Sequence, residues 1–323
     1  MALPGFENHK LLSFKVHEKR TNEIEVEFRK FTWIAHHIMF KSRIAPTPSG
    51  YLHLGNVFNV MLTWLWTRSN NGQLLLRIDD ADQARVRSQY VTDIFEVFDW
   101  LGVDWDLGPT GPSSLNNEWS QHHRQAHYTA LLHEWIETNQ VYACTCSRSN
   151  RSLTKAQPTC SCAGRLIPLD QPGVSWWIQT IPNHITTIHD ALQGMKTATP
   201  STFMIRQRDG QAAYQVMSLS DDRQYGINRI VRGQDLLESS FRQVYLDGLL
   251  KKPFLQKALF WHHSLLLDPQ GQKQSKSAGV QARSLKEIYT KTTIEQLFYA
   301  WLGLNMPQPD SWKSLVGDSF FTR

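Results

Sequence analysis

The chain has 323 residues, of which 41% are hydrophobic, and a chain of this size can bury a substantial core and divide into two or more domains. Its formal net charge of +5 and its pI near 9.0 suit a polyanionic partner, but an excess of this size does not by itself indicate nucleic-acid binding. The sequence has no apolar run that could cross a bilayer and no secretory signal pattern. These properties exclude a membrane-spanning protein, and we expect a cytoplasmic protein without a membrane partner.

The first elements of the chain follow two different periodicities. Residues 1–40 alternate apolar and charged positions, which predicts an N-terminal extension with a possible β-hairpin and no evident chemistry. From Lys41 the pattern predicts a strand, a helix over residues 53–69 that stops at Gly72, and a strand over residues 73–78. Strand, helix and strand in this order are typical of an α/β fold with a parallel sheet.

The turn between the first strand and its helix has the composition of a phosphate-binding turn. A Pro/Gly-rich segment that starts at Arg43 ends at His53, which lies at the predicted start of the helix and is followed by Gly55 and Asn56. Glycine lets a ligand approach the bare backbone, and a helix N-terminus favours the negative charge of phosphate. By itself, a histidine followed by glycine is more often an ordinary turn than a ligand.

Further helices are predicted downstream of this turn. Ser88–Leu101 carries apolar residues at helical spacing with Gly102 beyond it, which indicates a core helix rather than a cofactor motif. Helices are also predicted over residues 119–139 and 236–250, and the chain is expected to re-enter the sheet over residues 201–217. The paired histidines are expected to be surface or core residues and not metal ligands: His36 and His37, His122 and His123, His262 and His263.

The four cysteines form two pairs, and residues 147–159 separate the pairs. Two such pairs suit tetrahedral zinc, because thiolates ionise readily beside the cation and a structural site needs four protein ligands. A disulfide or unrelated thiols are the alternatives, which a reducing compartment and the tight clustering make less favourable. We therefore predict a structural zinc site in a small insertion, with these ligands: Cys144, Cys146, Cys160 and Cys162.

A second polar motif follows far downstream, in the stretch Gly271-Gln-Lys273-Gln-Ser275-Lys276-Ser277. Taken alone, it is a solvated, flexible lysine loop. Together with the His53 turn, however, it resembles the paired HIGH and KMSKS signatures of class I aminoacyl-tRNA synthetases. The resemblance implies ATP as a substrate with Mg²⁺. It also implies that the histidine and both lysines offset phosphate charge as pyrophosphate leaves.

Two further stretches narrow the resemblance to glutamyl-type synthetases. They are Arg77-Ile-Asp79-Asp80-Ala-Asp82 and the segment over residues 213–235, and the match runs in register over about residues 41–302. A full glutamyl-tRNA synthetase would continue into anticodon-binding helical domains, which this chain is expected to lack. A short chain with a cysteine-rich insertion is similar to the glutamyl-queuosine tRNA(Asp) synthetases, which attach glutamate to a modified anticodon base.

This resemblance implies a division of the chain and a set of site residues. Residues 41–140 and 201–262 would form the two halves of a Rossmann-type nucleotide-binding domain, 141–200 the zinc-bearing insertion, and 263–323 the lysine loop with a C-terminal helical region that contacts the tRNA stem. The implied partners are L-glutamate, ATP and tRNA(Asp), and we expect a monomer. The implied catalytic and ATP-binding residues are His53, Gly55, Asn56, Lys273, Ser275 and Lys276, and the implied glutamate-binding residues are Arg43, Ala45, Thr47, Asp79, Tyr214 and Arg232.

Two residues depart from the family pattern. Asp79 stands where the family has Glu, and Ser218 stands where many glutamyl enzymes have Asn. The shorter carboxylate is drawn back by about one bond length, and a re-sized pocket, a water-bridged contact and weakened activity all remain open. Without the flanking motifs, Asp79, Asp80 and Asp82 would be interpreted as a solvated acidic loop.

Two alternative functions also remain open. One is a glutamate-activating ligase with another acceptor, such as a tRNA 3′ end or a small amine. The other is a catalytically silent paralogue that binds tRNA or nucleotide, which the two departures allow and which the presence of His53, Lys273 and Lys276 argues against.

Overall fold

The computed structural model describes residues 39–147, 152–154, 157–159, 161–266, 283–305 and 311–322. The predicted N-terminal hairpin, Cys160 and the loop that carries Lys273, Ser275 and Lys276 lie outside the described residues. From Phe40 onward the chain forms one compact unit. Among the described residues, no helix has the length and apolar character needed to cross a membrane.

The turn that carries His53 lies between a strand and a helix that match the sequence prediction closely. Strand β1 (Lys41–Ile44) pairs in parallel with β2 (Gln73–Leu76), and helix α1 (Leu54–Ser69) connects them. A side chain at Gly72 would meet the Phe40 ring at 2.4 Å, so glycine is needed where the chain turns back into the sheet. The second strand ends two residues before its predicted end at residue 78.

The other elements continue this α/β order. Helix α2 spans Ser88–Leu101 as predicted, and Gly102 ends it in the left-handed conformation with a φ of 74°. The remaining described α-helices of four or more residues are α3 (Gln125–Ile136), α4 (Tyr214–Gln224), α5 (Leu237–Gly248), α6 (Leu285–Ile288) and α7 (Lys291–Leu302). The remaining described strands are β3 (Val141–Cys144), β4 (Ser152–Thr154), β5 (Gln157–Thr159), β6 (Ser175–Ile178), β7 (Thr186–Asp190), β8 (Gly194–Ala198), β9 (Phe203–Arg206), β10 (Arg229–Gly233) and β11 (Leu259–His263).

The main sheet has the strand order β2-β1-β10-β11-β7-β8, in which neighbours are parallel except for the antiparallel β8. This arrangement confirms the predicted α/β class. Separate antiparallel sheets join β3, β6 and β9, and also β4 and β5. Strands β1 and β10 are neighbours although α1, α2 and many other elements separate them in sequence, so distant parts of the chain meet inside the sheet.

The sheet corrects two expected boundaries. Strands β7 and β8 lie inside the segment 141–200 that was expected to be the insertion, yet they extend the main sheet beyond β11. Strand β9 lies in the segment expected to re-enter the main sheet, yet it pairs with β6 in the small antiparallel sheet. The alternating patterns in the sequence indicate strands, but they do not specify which strand each one pairs with.

Helix α3 is shorter than the predicted span of residues 119–139. It is preceded by a separate tight turn, Gln121–Arg124, that starts at Ser120. The Arg124 guanidinium donates to the carbonyl of Trp119 at 2.8 Å and holds this turn against the protein interior. The buried polar contacts of Arg124 therefore override the continuous helical periodicity.

The C-terminal region completes the hydrophobic core. Trp312 and Phe321 are fully buried, and their rings contact Trp64 of α1 at 4.9 Å and Trp261 of β11 at 6.2 Å between centroids. Burying one large apolar side chain contributes about 1.5–3 kcal/mol. The predicted helical region is thus packed against the face of the main sheet that also carries α1 and α2.

Candidate active site

A cavity of about 210 Å³ opens at the carboxyl ends of strands β1, β10 and β11. This edge is where parallel α/β sheets bind ligands, because the strand order reverses there and the adjacent loops diverge. The cavity wall brings together residues from distant parts of the chain, among them Arg43, His53, Tyr214, Arg232 and His263.

His53 and Asn56 form a reciprocal cap at the N-terminus of α1. The Nδ1 atom of His53 accepts the amide N–H of Asn56 at 3.3 Å, and Oδ1 of Asn56 accepts the amide N–H of His53 at 3.2 Å. Because Nδ1 is the acceptor, a neutral imidazole carries its hydrogen on Nε2. The ring thereby presents a donor at a helix N-terminus, which suits an anionic oxygen such as that of a phosphate.

Gly55 lies directly beneath the His53 ring. A Cβ atom at this position would meet Cε1 of His53 at 3.1 Å and Nδ1 at 3.2 Å. A larger residue would require the imidazole to shift by a few tenths of an ångström. The glycine that the sequence motif suggests for close ligand approach therefore also leaves room for the histidine in its cap.

His263 and Asn59 form part of the same wall, and the sequence analysis did not assign them to the site. Nδ1 of His263 donates to the carbonyl of Ser264 at 2.9 Å, so Nε2 accepts from Nδ2 of Asn59 at 3.1 Å. Burial lowers the pKa of His263 below its ordinary value, which keeps the ring neutral. A signal for Asn59 was present, because it follows Asn56 by three residues on α1 and thus lies on the same helix face.

Three buried guanidinium groups share the carboxylate of Asp222. Arg43 Nε lies 3.1 Å from Oδ1 of Asp222, Arg77 Nη1 lies 2.9 Å from the same oxygen, and Arg232 Nη2 lies 3.8 Å from Oδ2. All four side chains are at most 5% exposed. Within the described residues, Asp222 is the carboxylate that lies within ion-pair distance of Arg43 and Arg232. Because the two arginines share it, each positive charge is compensated by less than one negative charge.

This sharing of one carboxylate makes the cavity wall receptive to anions. Burial lowers the pKa of Arg232, and the neighbouring charges of Arg43 and Arg77 act in the same direction, while Tyr214 and Asp222 oppose it. A carboxylate that entered beside Arg43 and Arg232 would relieve this unfavourable positive charge. A guanidinium can also bind both oxygens of such a group at once.

Asp79 binds Arg77 in the structure and does not line the described cavity. Its two oxygens lie 2.6 and 3.2 Å from Nε and Nη2 of Arg77, and Nε2 of Gln121 lies 3.4 Å away. Burial raises the pKa of Asp79, and Arg77 opposes this shift. Burial by itself would lower the pKa of Arg77, but Asp79, Asp222 and Asp221 raise it well above its ordinary value.

The interpretation of the acidic segment as a solvated loop is wrong for two of its three carboxylates. Asp79 is paired as described, and Asp80 is 4% exposed and accepts from the Ser120 hydroxyl at 2.7 Å and the Gln121 amide at 2.8 Å. Asp82 is 47% exposed and pairs with Arg85, as a surface residue would. The first two carboxylates thus position Arg77 and the turn that precedes α3.

Only some of the remaining residues of the implied glutamate site line the cavity. Ala45 and Tyr214 line the cavity, and Tyr214 is 39% exposed. Thr47 is exposed and is not among the cavity-lining residues. Ser218, which stands in place of the usual Asn, is buried, and its hydroxyl accepts from Arg77 at 3.3 Å and from Arg232 at 3.5 Å. The substitution therefore keeps a polar group between the two arginines.

The described cysteines form a cluster apart from the cavity. The sulfurs of Cys144, Cys146 and Cys162 all lie within 4.8 Å of one another, and none of the three is in a disulfide. Four zinc–sulfur bonds of about 2.3 Å in a tetrahedron separate the sulfurs by about 3.8 Å, so the cluster fits such an ion. Hydrogen bonding to Cys162 raises the pKa of the Cys146 thiol to about 12, and a bound cation would favour the ionised sulfur.

The sequence is similar to known synthetases over most of its length. Residues 39–160 match the family model of tRNA synthetases class I (E and Q), catalytic domain. The Glutamyl-Q tRNA(Asp) synthetase of Symbiobacterium thermophilum is 31% identical over 300 residues, which cover 84% of this chain and 89% of that protein. The protein of the same name from Pseudomonas syringae pv. syringae is 34% identical over 239 residues, which cover 73% and 76% of the two chains.

The fold is also similar to that of a solved synthetase. The glutamate-tRNA synthetase from Elizabethkingia anophelis aligns with a TM-score of 0.68 at 20% identity and covers 88% of this chain. The present chain spans 65% of that structure, which is less than two thirds of its length. Given the extent and identity of the sequence matches, this chain is a ligase that belongs to the glutamyl-Q tRNA(Asp) synthetase family of class I tRNA synthetases.

Proposed function

We propose that the protein activates L-glutamate with ATP and transfers the glutamyl group to queuosine in the anticodon of tRNA(Asp). The observation that carries the glutamate part of the proposal is the shared carboxylate of Asp222, which leaves Arg43 and Arg232 undercompensated beside the cavity. The substrate has two carboxylates, and two guanidinium groups suit them. A hydrogen bond to a charged group contributes about 1.5–3 kcal/mol, and a neutral analogue such as glutamine would lose part of this gain.

The nucleotide is proposed to bind at the other end of the cavity, against the cap of helix α1. His53 would donate from Nε2 to a phosphate oxygen, and the bare backbone at Gly55 would leave room for the ribose and adenine. Lys273, Ser275 and Lys276 are proposed to close over the phosphates by their resemblance to the family loop. Mg²⁺ bound to the phosphates would lower their negative charge when ATP enters.

The proposed reaction has two steps and needs no covalent enzyme intermediate. The α-carboxylate of glutamate attacks the α-phosphorus of ATP, the bond to the β-phosphate breaks, and pyrophosphate leaves. A hydroxyl of the queuosine cyclopentene-diol then attacks the acyl carbon, the bond from that carbon to the phosphate oxygen breaks, and AMP leaves while the hydroxyl proton is released. The described residues contribute orientation and charge compensation, which are the main sources of rate enhancement in phosphoryl chemistry.

The cysteine cluster is proposed to hold a structural zinc ion with Cys160 as the fourth ligand. Bound zinc would cross-link the β3 end to the turn that contains Cys162, where the surrounding core is small. Arg208 donates to the carbonyls of Thr145 and Cys146 at 2.6 and 2.7 Å and would support the same loop. We assign this site no part in the reaction, and we propose that the protein acts in the cytoplasm.

The activation step is tested by ATP/pyrophosphate exchange with each amino acid in turn, without tRNA. Exchange that depends on glutamate is the expected result, and Arg43→Gln should raise the KM for glutamate about tenfold or more because a charged contact is lost. Arg85→Gln is the matched control, because Arg85 is 66% exposed and pairs only with the surface residue Asp82 in the described structure. Exchange with another amino acid would contradict the proposed substrate, and exchange with none would favour a tRNA-dependent or a catalytically silent homologue.

The acceptor is tested separately by transfer of labelled glutamate to tRNA(Asp) with and without queuosine. Labelling that requires queuosine and survives removal of the 3′-terminal adenosine is expected. Labelling that depends instead on the 3′ end would favour the alternative acceptor. Lys276→Ala should abolish both steps, and a Lys276→Ala variant that retains full biological function would favour a silent tRNA-binding protein.

A further inference from the structure

A continuous chain of buried polar groups lies behind Arg232. Oδ2 of Asp190 lies 2.8 Å from Nδ1 of His262, Nε2 of His262 lies 2.8 Å from the Ser240 hydroxyl, and that hydroxyl accepts from Nη1 of Arg232 at 3.1 Å. Each of these side chains is at most 3% exposed. Gln243 accepts from the other terminal nitrogen of Arg232 at 2.6 Å.

This chain of hydrogen-bonded side chains connects elements that are distant in sequence. Asp190 ends β7, His262 lies in the neighbouring strand β11, Ser240 lies in helix α5, and Arg232 lies in β10. Asp190 also accepts the amide N–H of His262 at 3.0 Å, and Oδ1 accepts the amides of Leu192 and Gln193 at 3.0 Å. The carboxylate is therefore held rigidly, and it determines the orientation of the imidazole plane.

Hydrogen-bond chemistry gives the chain a direction. A carboxylate can only accept, so Nδ1 of His262 donates to Asp190. In a neutral ring Nε2 accepts the Ser240 hydrogen at 2.8 Å, a shorter contact than the 3.3 Å from the same hydroxyl to the Leu236 carbonyl, and the lone pairs of the hydroxyl face the guanidinium of Arg232. Such a chain polarises each successive group and strengthens the acceptor that Arg232 contacts.

The Asp–His–Ser order resembles that of a hydrolase triad, but its position does not suit a nucleophile. Neither Ser240 nor His262 is among the residues that line the described cavity, and the Ser240 hydroxyl is occupied by Arg232. Arg232 itself does line the cavity. The effect of the chain on a ligand must therefore pass through the guanidinium.

We infer that Asp190 and His262 are positioning residues that act through Ser240 to hold Arg232 in place, and that the chain thereby selects the length of the amino acid. The inference rests on the proposed function, because it assumes that Arg232 binds a carboxylate of glutamate. Arg43 is held by Asp222 and by the Val231 carbonyl at 3.4 Å, and Arg232, which also lies near Asp222, is held from behind by Ser240. Because Arg232 is fixed in place, only a side chain of the right length brings its carboxylate to the guanidinium. Aspartate is shorter by one methylene and would fit poorly.

The test compares Ser240→Ala and His262→Asn with the wild type in ATP/pyrophosphate exchange, using glutamate and aspartate. Asparagine can still donate to Asp190 but cannot reach Ser240, whereas His262→Gln places an amide nearer to the former Nε2. We expect Ser240→Ala and His262→Asn to raise the KM for glutamate about tenfold, while the KM for ATP stays within about twofold. The ratio of kcat/KM for glutamate to that for aspartate should fall about fivefold in these two variants. His262→Gln should recover part of the KM for glutamate and part of this ratio.

Ser42→Ala is the matched control. Ser42 is equally buried, and its hydroxyl donates to the main-chain carbonyl of Arg229 at 2.9 Å. It should lower the midpoint of thermal unfolding about as much as Ser240→Ala without changing the glutamate preference. An unchanged KM for glutamate in both Ser240→Ala and His262→Asn would overturn the inference. So would equal rises in the KM values for glutamate and ATP that follow the loss of stability.

Binding of glutamate, measured by calorimetry on the same proteins, separates the inference from the proposed function. A wild type that binds glutamate but catalyses no exchange contradicts the proposed function alone, and the variants' affinities for glutamate and aspartate still test the positioning chain. A wild type that binds neither amino acid overturns both. Weaker glutamate binding in Ser240→Ala, with Ser42→Ala unaffected, supports the positioning chain.

Discussion

Replacement of Asp222 by asparagine should destabilise the fold strongly, because this carboxylate compensates several buried cations. Asp222 is fully buried and lies within ion-pair distance of Arg43, Arg77 and Arg232. Its Oδ1 atom accepts from Arg43 and Arg77, so an asparagine would keep its carbonyl oxygen at this position. Its amide nitrogen would then face Arg232, donor against donor.

The magnitude follows from these contacts. Removal of one partner from a buried ion pair costs about 3–5 kcal/mol, because the remaining charge is left uncompensated. The retained carbonyl oxygen keeps two hydrogen bonds in weaker, uncharged form. We therefore expect a loss near the lower end, about 3 kcal/mol in the free energy of unfolding. This is a large fraction of the stability of a typical domain.

Urea unfolding followed by fluorescence is a suitable assay, since the chain has 12 tryptophans. Asp82→Asn is the control, because the Asp82–Arg85 pair is 47% and 66% exposed and such surface pairs contribute about 0–1 kcal/mol. If Asp222→Asn is no less stable than Asp82→Asn, the view that Asp222 is the required counter-ion of the cavity arginines is incorrect.

Three further predictions concern the His53 cap, the loss of stability at low pH and the cysteine thiols. Gly55→Ala should raise the KM for ATP about tenfold by displacing the histidine cap, whereas Gly50→Ala, with nothing within 4 Å of its added carbon, should behave as wild type in the same exchange assay. Burial would raise the pKa of Asp190, but hydrogen bonds from His262 and nearby amides lower it below its ordinary value. The contribution of this carboxylate to stability is therefore complete above about pH 3.9, the pKa in the unfolded chain, and is lost as the pH falls through the lower pKa of the folded protein. In urea titrations, the free energy of unfolding of Asp190→Asn should decline less steeply over that acid range than that of the wild type. Elemental analysis should find about one zinc ion per chain, and Cys162→Ser should lose most of it; equal zinc content in both proteins would contradict the metal site.

Local features of the site could be predicted because the residues that cause them are adjacent in sequence. The cap between His53 and Asn56 spans one helical turn, and Gly55 lies between its two members. Helix α2 and its glycine terminus likewise follow from spacing alone. The cysteine spacing also sufficed to predict that Cys144, Cys146 and Cys162 would converge.

Strand partners and the environment of each charge could not be predicted in the same way. Strand β9 lies in a segment that was expected to enter a sheet, whereas β7 was not predicted, and pairing with β6 or β11 depends on which surfaces remain to be covered. Periodicity likewise did not distinguish Asp79, which pairs with Arg77 and is 10% exposed, from Asp82, which is 47% exposed three positions later.

The sequence by itself thus determined the α/β class, the nucleotide-type turn and the family, because each depends on residues that are close together or on an ordered series of motifs. Only the tertiary structure decided that Asp222 compensates Arg43 and Arg77, which lie 179 and 145 positions away, and that His262 supports Arg232 through Ser240. The physical reason is that the strength of a charge interaction depends on burial and on partners from other strands. Both arise only when the two halves of the sheet come together.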